Sequence, residues 1–212
     1  MNILNSTKSS MGLHEQAINV TLELMDDMHS ATPSVSEVAR AIGMPEERLR
    51  SMFPDDQHLL IAVVEQALVL LIDSCTRSVV KVDPNDPVAQ FTAIGDAYLE
   101  WADRNRGQFR LMSDERLMTV LHEPKLRRYL NSLVALMKRL LKRALDNGQL
   151  HPKENIEQMV LSSRCFAYGT ARMIVDGRMG EWAPGADPMV TAKQLIRDFV
   201  RRMARSSLPQ HA

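Results

Sequence analysis

The chain has 212 residues, of which 45% are hydrophobic and 25% charged, and its formal net charge is zero. This length allows one large packed domain or two small ones. No run of about 18 uncharged apolar residues occurs, which excludes an ordinary membrane-spanning segment, and the N-terminal residues lack the basic segment and apolar core of a signal peptide. We therefore expect a cytoplasmic protein that is not inserted in a membrane.

Helical spacing of apolar residues runs through almost the whole sequence and predicts an all-α protein. Proline and glycine mark several boundaries, since proline is favoured at the first helical position and glycine just after the last. Loops are predicted at about 81–87 and 177–187. The predicted helices cover approximately residues 11–29, 35–42, 46–53, 54–80, 88–105, 108–121, 124–146, 152–176 and 188–204.

Residues 34–60 carry the pattern of a helix–turn–helix. Ser34 and Glu37 form an S-x-x-E capping box, which fixes the start of the first short helix. Gly43 separates two sets of apolar residues with helical spacing, and glycine adopts a positive φ at little cost. Because a helix–turn–helix of this size usually places its second helix in the DNA major groove, the segment predicts a DNA-binding module.

The charge of this region argues against that assignment. Residues 1–58 contain four basic and nine acidic residues, a net charge of −5, whereas the remainder carries +5. A DNA-binding module normally has the opposite bias, because phosphate neutralisation supplies much of its affinity. DNA binding and its loss therefore both stay open at this point.

The exposed face of the second short helix carries the residues expected at a DNA groove. Glu47 and Ser51 are predicted at its centre, with Arg48 and Arg50, about 200° apart on the helical wheel, on its flanks. Glutamate can pair with cytosine, and arginine with guanine or phosphate. For Glu46 and Glu47 we favour the alternative that they only complement the helix dipole. The predicted DNA-binding set is Arg40, Glu47, Arg48, Arg50 and Ser51.

In the order and spacing of its segments the chain resembles the TetR-like (TetR/AcrR) family of transcriptional repressors over nearly its full length. The segments that carry the resemblance are AI at 17–18, SEVA at 36–39, IGM at 42–44, Leu49, Phe53, Leu59-Leu60, AYLEWA at 97–102, FRLM at 109–112, YG at 168–169 and DG at 176–177.

The resemblance implies a three-helix helix–turn–helix DNA-binding domain at residues 1–58 and a larger helical effector-binding and dimerisation domain at 59–212. It implies an Ω-shaped homodimer of nine-helix subunits that binds a palindromic operator. The last two long helices, here about 155–176 and 188–204, would form a four-helix bundle with their mates. The alternative is that the apolar side of 155–176 packs inside the monomer.

Two positions depart from the family pattern. Arg48-Leu49-Arg50 stands where the family usually has Thr-Leu-Tyr, and Asp56 stands where a lysine usually contacts phosphate. A helix N-terminus can still bind phosphate through its free N–H groups. We expect Asp55 and Asp56 to occupy or repel that site.

An effector pocket is expected between the middle helices of the C-terminal domain. Aromatic and methionine side chains suit a small, mostly apolar ligand, although each of them is also consistent with plain core. Arg172 can pair with a carboxylate of an anionic ligand or with an internal acid such as Asp96 or Glu100. The candidate pocket residues are Tyr98, Trp101, Phe109, Met112, Met137, Phe166, Tyr168 and Arg172.

Residues 125–143 contain seven basic residues and no acidic one. This basic helix can attract an anionic ligand, an acidic partner or a membrane surface, or offset the acidic N-terminal domain. We favour the alternative of a solvated face over a packed core.

Catalysis has little support, since the sequence has no Gly-rich phosphate loop, no G-x-S-x-G and no metal-ligand spacing. Cys75 and Cys165 are predicted to be buried, reduced thiols, and the alternative is a free reactive cysteine. We expect no enzymatic activity, cofactor or metal. The leading hypothesis is a ligand-responsive homodimeric DNA-binding regulator, a repressor by resemblance. The alternatives are a ligand sensor or protein-interaction dimer of the same fold without DNA binding, and an enzyme.

Overall fold

The structure is a computed structural model that describes residues 12–28, 32–113 and 120–207. Regular structure in these residues is helical throughout, which confirms the all-α prediction. A short 3₁₀ turn covers Val120–His122. The α-helices are α1 Leu13–Met28, α2 Val35–Ile42, α3 Glu46–Arg50, α4 Asp56–Val80, α5 Pro87–Arg104, α6 Arg106–Met112, α7 Pro124–Asp146, α8 Ile156–Val175, α9 Met179–Trp182 and α10 Pro188–Ser207.

Most helix boundaries agree with the sequence prediction, and the differences have local causes. α8 begins four residues later than expected because the side chain of Asn155 accepts the N–H of Gln158 and caps the helix there. α9 lies inside the predicted loop at 177–187. Of the predicted helix at 108–121, α6 covers the beginning, and residues 114–119 lie outside the described residues.

The chain divides into two compact units. The first contains the residues up to Ala67 together with Gly107–Leu126, and the second contains Leu68–Arg106 and the residues from Arg127 onward. In the first unit, α1, α2 and α3 pack around a small apolar core. This core consists of Ala17, Val20, Val35, Val38, Ala39, Leu49, Phe53 and Leu59.

In the second unit, α5, α8 and α10 pack against one another. A Cβ atom on Gly95 would lie 2.6 Å from Cγ2 of Ile196, so the glycine permits the close approach of α5 and α10. Between α8 and α10 the rings of Phe166 and Phe199 stack with their centroids 4.5 Å apart. The core of this unit is therefore built from direct helix–helix contacts.

Ion pairs follow the same contact between α5 and α10. Arg197 donates to Asp96 at 2.7 Å, and Lys193 donates to Glu100 at 2.5 Å. The two pairs are spaced four residues apart on each helix and lie next to the Gly95–Ile196 contact.

By length and composition α4 could cross a membrane, although the sequence predicted no such segment. One such helix is weak evidence for a membrane span, and 44% of its apolar 18-residue stretch is buried inside the structure. The buried residues of α4 include Val63, Leu71 and Cys75. Burial raises the pKa of the Cys75 thiol to about 12. Cys165 is exposed on α8, so the prediction that both cysteines are buried was wrong for that residue.

Candidate nucleic-acid interface and ligand-binding region

The turn between α2 and α3 has the geometry of a helix–turn–helix. The Ser34 hydroxyl accepts the N–H of Glu37 at 3.2 Å, and the Glu37 carboxylate accepts the N–H of Ser34 at 2.8 Å, which confirms the capping box. Gly43 ends α2 at φ +79°, and its N–H donates to the carbonyls of Ala39 and Arg40. Nothing lies within 4 Å of a Cβ at Gly43, so the backbone conformation alone favours glycine here.

Above this turn α3 exposes one side and buries the other. Leu49 is fully buried in the core of the first unit, whereas Arg48 and Arg50 on either side of it are exposed. Exposed polar side chains on a short helix anchored by a buried leucine are what a groove-reading helix needs. All five residues of the predicted DNA-binding set are exposed: Arg40, Glu47, Arg48, Arg50 and Ser51.

The two aspartates at the start of α4, Asp55 and Asp56, both accept backbone N–H groups from the first turn of a helix. Oδ1 of Asp56 accepts the N–H of Val35 at 2.7 Å, which satisfies a backbone donor in the first turn of α2. Oδ1 of Asp55 accepts the N–H of His58 at 2.9 Å and lies 2.7 Å from its Nδ1. These His58 contacts hold the pKa of Asp55 below its usual range. No local pattern indicated the Asp56 contact, because 21 residues separate its partners.

Glu46 lies in the first turn of α3, as the favoured dipole role requires, and it also makes a side-chain contact. The N-cap of α3 is Pro45, which has no side-chain cap bond. The Glu46 carboxylate instead accepts Nε of Arg50 at 2.6 Å and a hydrogen bond from Ser36. The contact with Arg50 is the largest cause that holds the pKa of Glu46 below its usual range. The i,i+4 spacing of the pair was the signal in the sequence for this contact.

Four acidic residues of this module therefore make contacts that help to hold it together: Glu37, Glu46, Asp55 and Asp56. Hydrogen bonds to N–H groups do not cancel their charge, so the module presents little positive surface to a phosphate backbone. Among the described residues, Arg48 makes no ion pair. Arg40, in contrast, interacts electrostatically with the carboxylates of Glu37 and Glu46. A nucleic acid at this surface would find few available cations rather than a basic patch.

Six of the eight candidate pocket residues belong to the second unit, and they divide between core and surface. Trp101 and Met137 are buried, and the rings of Tyr98 and Trp101 lie 6.2 Å apart. Burial raises the pKa of the Tyr98 hydroxyl well above its usual range. Phe166 is partly buried against Phe199. The structure thus brings Tyr98 and Trp101 together as neighbours on α5.

Of the remaining candidates, Tyr168 lies near enough to Tyr98 to interact with it electrostatically. Tyr168 is 43% exposed, and Arg172 is exposed on α8, where its Nε donates to Asp176 at 2.8 Å. The partner of Arg172 is thus an acid on its own helix and neither of the internal acids, Asp96 and Glu100, that the sequence suggested. Phe109 and Met112 belong to α6 in the first unit.

A surface groove runs along α10 in the second unit, and none of the eight candidates lines it. Its lining consists of Thr191, Gln194, Leu195, Arg197, Asp198 and Arg201. In residues 12–28, 32–113 and 120–207, no group of three His, Cys, Asp or Glu side chains is placed to hold a metal ion.

About half of the basic residues on helix α7 make ion pairs or hydrogen bonds within the protein. Lys138 pairs with Glu157 at 2.6 Å, Lys142 pairs with Asp146, and Arg143 donates to Gln90 and to the Pro84 carbonyl. In the part of the chain that the structure describes, ion-pair partners are absent for Arg127, Arg128 and Arg139, which are exposed. Buried Leu126, Leu140 and Leu141 lie on the other side, the arrangement expected for a solvated face over a packed core.

Comparison with known proteins identifies the family. Residues 91–199, more than half of the chain, match the tetracyclin repressor-like C-terminal domain. No curated protein sequence matches. A protein with unknown function from Rhodococcus sp. RHA1 has the same fold, with 18% identity, a TM-score of 0.75, and 95% of this chain and 98% of that chain covered.

Two solved regulators also share the fold. They are the TetR-family regulator PfmR of Thermus thermophilus (16% identity, TM-score 0.69, 92% of this chain and 100% of that chain covered) and the fatty acid degradation regulator FadR of Bacillus halodurans (12%, 0.70, 91% and 96%). The family match over residues 91–199 and the helix–turn–helix before it lead to one assignment: the chain belongs to the TetR family of transcriptional regulators.

Proposed function

We propose that the protein is a homodimeric DNA-binding transcriptional repressor whose operator binding is tuned by a small ligand. The observation that carries this proposal is the surface of α3, on which Arg48, Arg50 and Ser51 are exposed over a buried Leu49. A helix presented in this way suits insertion into a major groove. Action on DNA implies a protein of the cytoplasm.

The acidic character of residues 1–58 favours a second candidate, a sensor of the same fold that no longer binds DNA. The contacts of the acids weigh against this alternative. Glu37, Asp55 and Asp56 accept backbone N–H groups, so selection for a stable module explains their presence without any loss of function. The proposal therefore predicts DNA binding with few phosphate contacts.

For the dimer we propose the surface formed by α8 and α10. These helices pack on each other and still leave large apolar side chains exposed: Leu161, Tyr168, Val190 and Leu195. Exposed apolar surface of this kind is a common mark of association. A twofold dimer would place two copies of α3 against two half-sites of a palindrome, one helical turn or a multiple of it apart.

Leu195→Asp tests the dimer. An aspartate in a buried apolar interface is expected to shift the protein from dimer to monomer, since burial of an unpaired charge is costly. Val80→Asp is the matched control, because Val80 is 74% exposed and lies on neither α8 nor α10. Sedimentation equilibrium measures the mass of both variants. A dimer retained by Leu195→Asp would show that α10 does not form the interface at this residue.

The ligand site is proposed in the second unit, around Tyr98 and Trp101 on α5 and Met137 on α7. These side chains are apolar over most of their surface and suit a small, mostly apolar molecule. An anionic group on the ligand would have to compete with Asp176 for Arg172. Binding would shift the dimer between arrangements with different spacing of the two α3 helices.

The experiment that tests the central proposal is selection of genomic fragments by the purified protein over a series of salt concentrations. We expect enrichment of a palindrome, with an affinity that falls only moderately as salt rises because few phosphates are contacted. Lack of enrichment even at low salt would reject DNA binding and favour the sensor alternative. Added ligand candidates should then lower the affinity for the recovered palindrome.

A further inference from the structure

The two arginines of α3 are in different states. Arg50 is held at two points, since its Nε donates to Glu46 at 2.6 Å and its Nη1 donates to the carbonyl of Pro54 at 3.1 Å. In contrast, the guanidinium group of Arg48 is exposed and makes no hydrogen bond or ion pair within the described residues. The guanidinium group of Arg50 thus donates to two groups of the protein, whereas all the N–H donors of the Arg48 guanidinium group remain available.

Glu46 is well placed to keep Arg50 in this position. Its carboxylate also accepts a hydrogen bond from Ser36 on α2, and Arg40 lies near enough to favour its charged form. These contacts hold the pKa of Glu46 below its usual range, so it is ionised at neutral pH. The negative charge of Glu46 offsets the positive charge of Arg50 toward any approaching phosphate.

The arrangement also separates the two arginines in direction. Residues two apart on an α-helix point about 200° apart, so Arg48 and Arg50 cannot reach the same base pair. Arg48 is followed by the buried Leu49, and its carbonyl accepts the Ser51 hydroxyl at 2.8 Å, which ties down the backbone on which it is mounted. A free guanidinium group on a fixed backbone matches the two acceptors, O6 and N7, of guanine in the major groove.

We propose that Arg48 determines the sequence specificity of operator binding by contacting a guanine. Arg50, whose charge Glu46 restrains, positions α3 on the DNA backbone without reading the sequence. This inference rests on the proposed function, since it names the residue that reads the operator. It has an unusual consequence: Glu46 competes with DNA for Arg50, so the removal of its charge should strengthen DNA binding without changing the preferred sequence.

The test is selection from a random duplex library by six proteins: wild type, Arg48→Ala, Arg48→Lys, Arg50→Ala, Glu46→Gln and the control Arg139→Ala. We expect the wild type to select a guanine in each half-site. Arg48→Ala should lose this preference and bind the selected site roughly 5- to 150-fold more weakly, the loss that corresponds to one bidentate base contact. Arg48→Lys keeps the charge but lacks the planar fork, and should also lose the guanine preference.

The other two variants should change affinity and leave the preferred sequence intact. Arg50→Ala is expected to weaken binding to all sequences alike, whereas Glu46→Gln is expected to strengthen it several-fold and to steepen the salt dependence by about one phosphate contact. Arg139→Ala is the matched control for loss of one exposed, unpaired arginine outside the helix–turn–helix, and should preserve the wild-type preference. Circular dichroism of each variant establishes that it is folded.

Two outcomes would overturn the inference while the proposed function stands. One is loss of the base preference in Arg50→Ala rather than in Arg48→Ala. The other is a uniform loss of affinity in Arg48→Ala with the wild-type sequence still selected, which would make Arg48 a phosphate contact. A wild-type protein that selects no sequence would reject the proposed function itself and the inference with it.

Discussion

The carboxylates at the start of α2 and those between α5 and α10 have different kinds of partner. In the first unit, Glu37 and Asp56 accept backbone N–H groups at the start of α2. In the second unit, Asp96 and Glu100 accept hydrogen bonds from the basic side chains of Arg197 and Lys193 on α10. The comparison shows that acidic residues in a helix–turn–helix need not indicate lost DNA binding, because some of them complete the helices of the module even though their charge still opposes phosphate.

The units also differ in how their cores are built. The first unit packs short helices around a few central side chains, of which Leu49 is fully buried. The second unit depends on long helices in close contact, with Gly95 against Ile196. Substitutions at these two positions should therefore affect different parts of the molecule, by different mechanisms.

Leu49→Ala should have the largest effect. Loss of a fully buried leucine typically costs about 2–5 kcal/mol of unfolding free energy, and the small core of the first unit has few side chains that can fill the cavity. Urea unfolding measures the loss, and hydrogen exchange should place it in α2 and α3. Val80→Ala, at a position that is mostly exposed, is the control and should change stability by no more than about 0.5 kcal/mol. If Leu49→Ala accelerated hydrogen exchange in α5 and α8 as much as in α2 and α3, the two units would not have separate stabilities.

Gly95→Ala should destabilise the second unit, whereas Leu49→Ala destabilises the first. The added methyl group would overlap Ile196, and overpacking of this kind costs about 1–3 kcal/mol, partly offset by the better helix propensity of alanine. Thermal unfolding and hydrogen exchange in α5 and α10 test this. Gly180→Ala, where nothing lies within 4 Å of the new methyl group, should cause no loss. If Gly95→Ala were as stable as the wild type, α10 would have to move away from α5 at no cost in unfolding free energy.

Asp56→Ala should cost about 1 kcal/mol, the usual value of a side chain that caps a helix N-terminus. Asp56→Asn keeps an oxygen acceptor for the N–H of Val35 and should lose less, although it removes the same charge. Chemical unfolding of the two variants separates the hydrogen bond from the charge. An equal loss in both would show that charge, and not the cap, is what Asp56 contributes.

The sequence predicted the features of the fold that depend on neighbouring residues. The capping box at Ser34 and the bounds of α7, from Pro124 to Asp146, follow from short-range signals. The Gly95–Ile196 contact joins residues 101 positions apart and leaves no local pattern. α9 was missed because four residues are too few to show helical periodicity.

For the candidate site, the solvent exposure of the side chains was easier to predict from the sequence than their hydrogen-bond and ion-pair partners. The burial of Leu49 follows from apolar spacing, and with it the exposure of Arg48 and Arg50. That Glu46 holds Arg50 was visible in their spacing, but an acid in the first turn of a helix fits the helix dipole equally well. The two roles are compatible, since Glu46 lies in the first turn of α3 and also pairs with Arg50.

The smallest expected effect concerns acid stability of the first unit. The backbone N–H of Ser34, and next its hydroxyl, hold the pKa of Glu37 below its usual range. Since the folded state lowers this pKa, the contribution of Glu37 to stability is present above the pKa of the unfolded chain and is lost as the pH falls through the folded value. The wild type should therefore lose more stability than Glu37→Gln between about pH 5 and about pH 3.

Ser34→Ala tells which Ser34 group causes this pH dependence, because it removes the hydroxyl and keeps the backbone N–H. If the N–H is the main partner, the difference in unfolding midpoint between neutral and acid pH should remain closer to that of the wild type in Ser34→Ala than in Glu37→Gln. The midpoints are measured by urea unfolding at both pH values. An equal flattening in the two variants would assign the effect to the hydroxyl, and α2 would then depend on a side-chain contact rather than on its own backbone for acid stability.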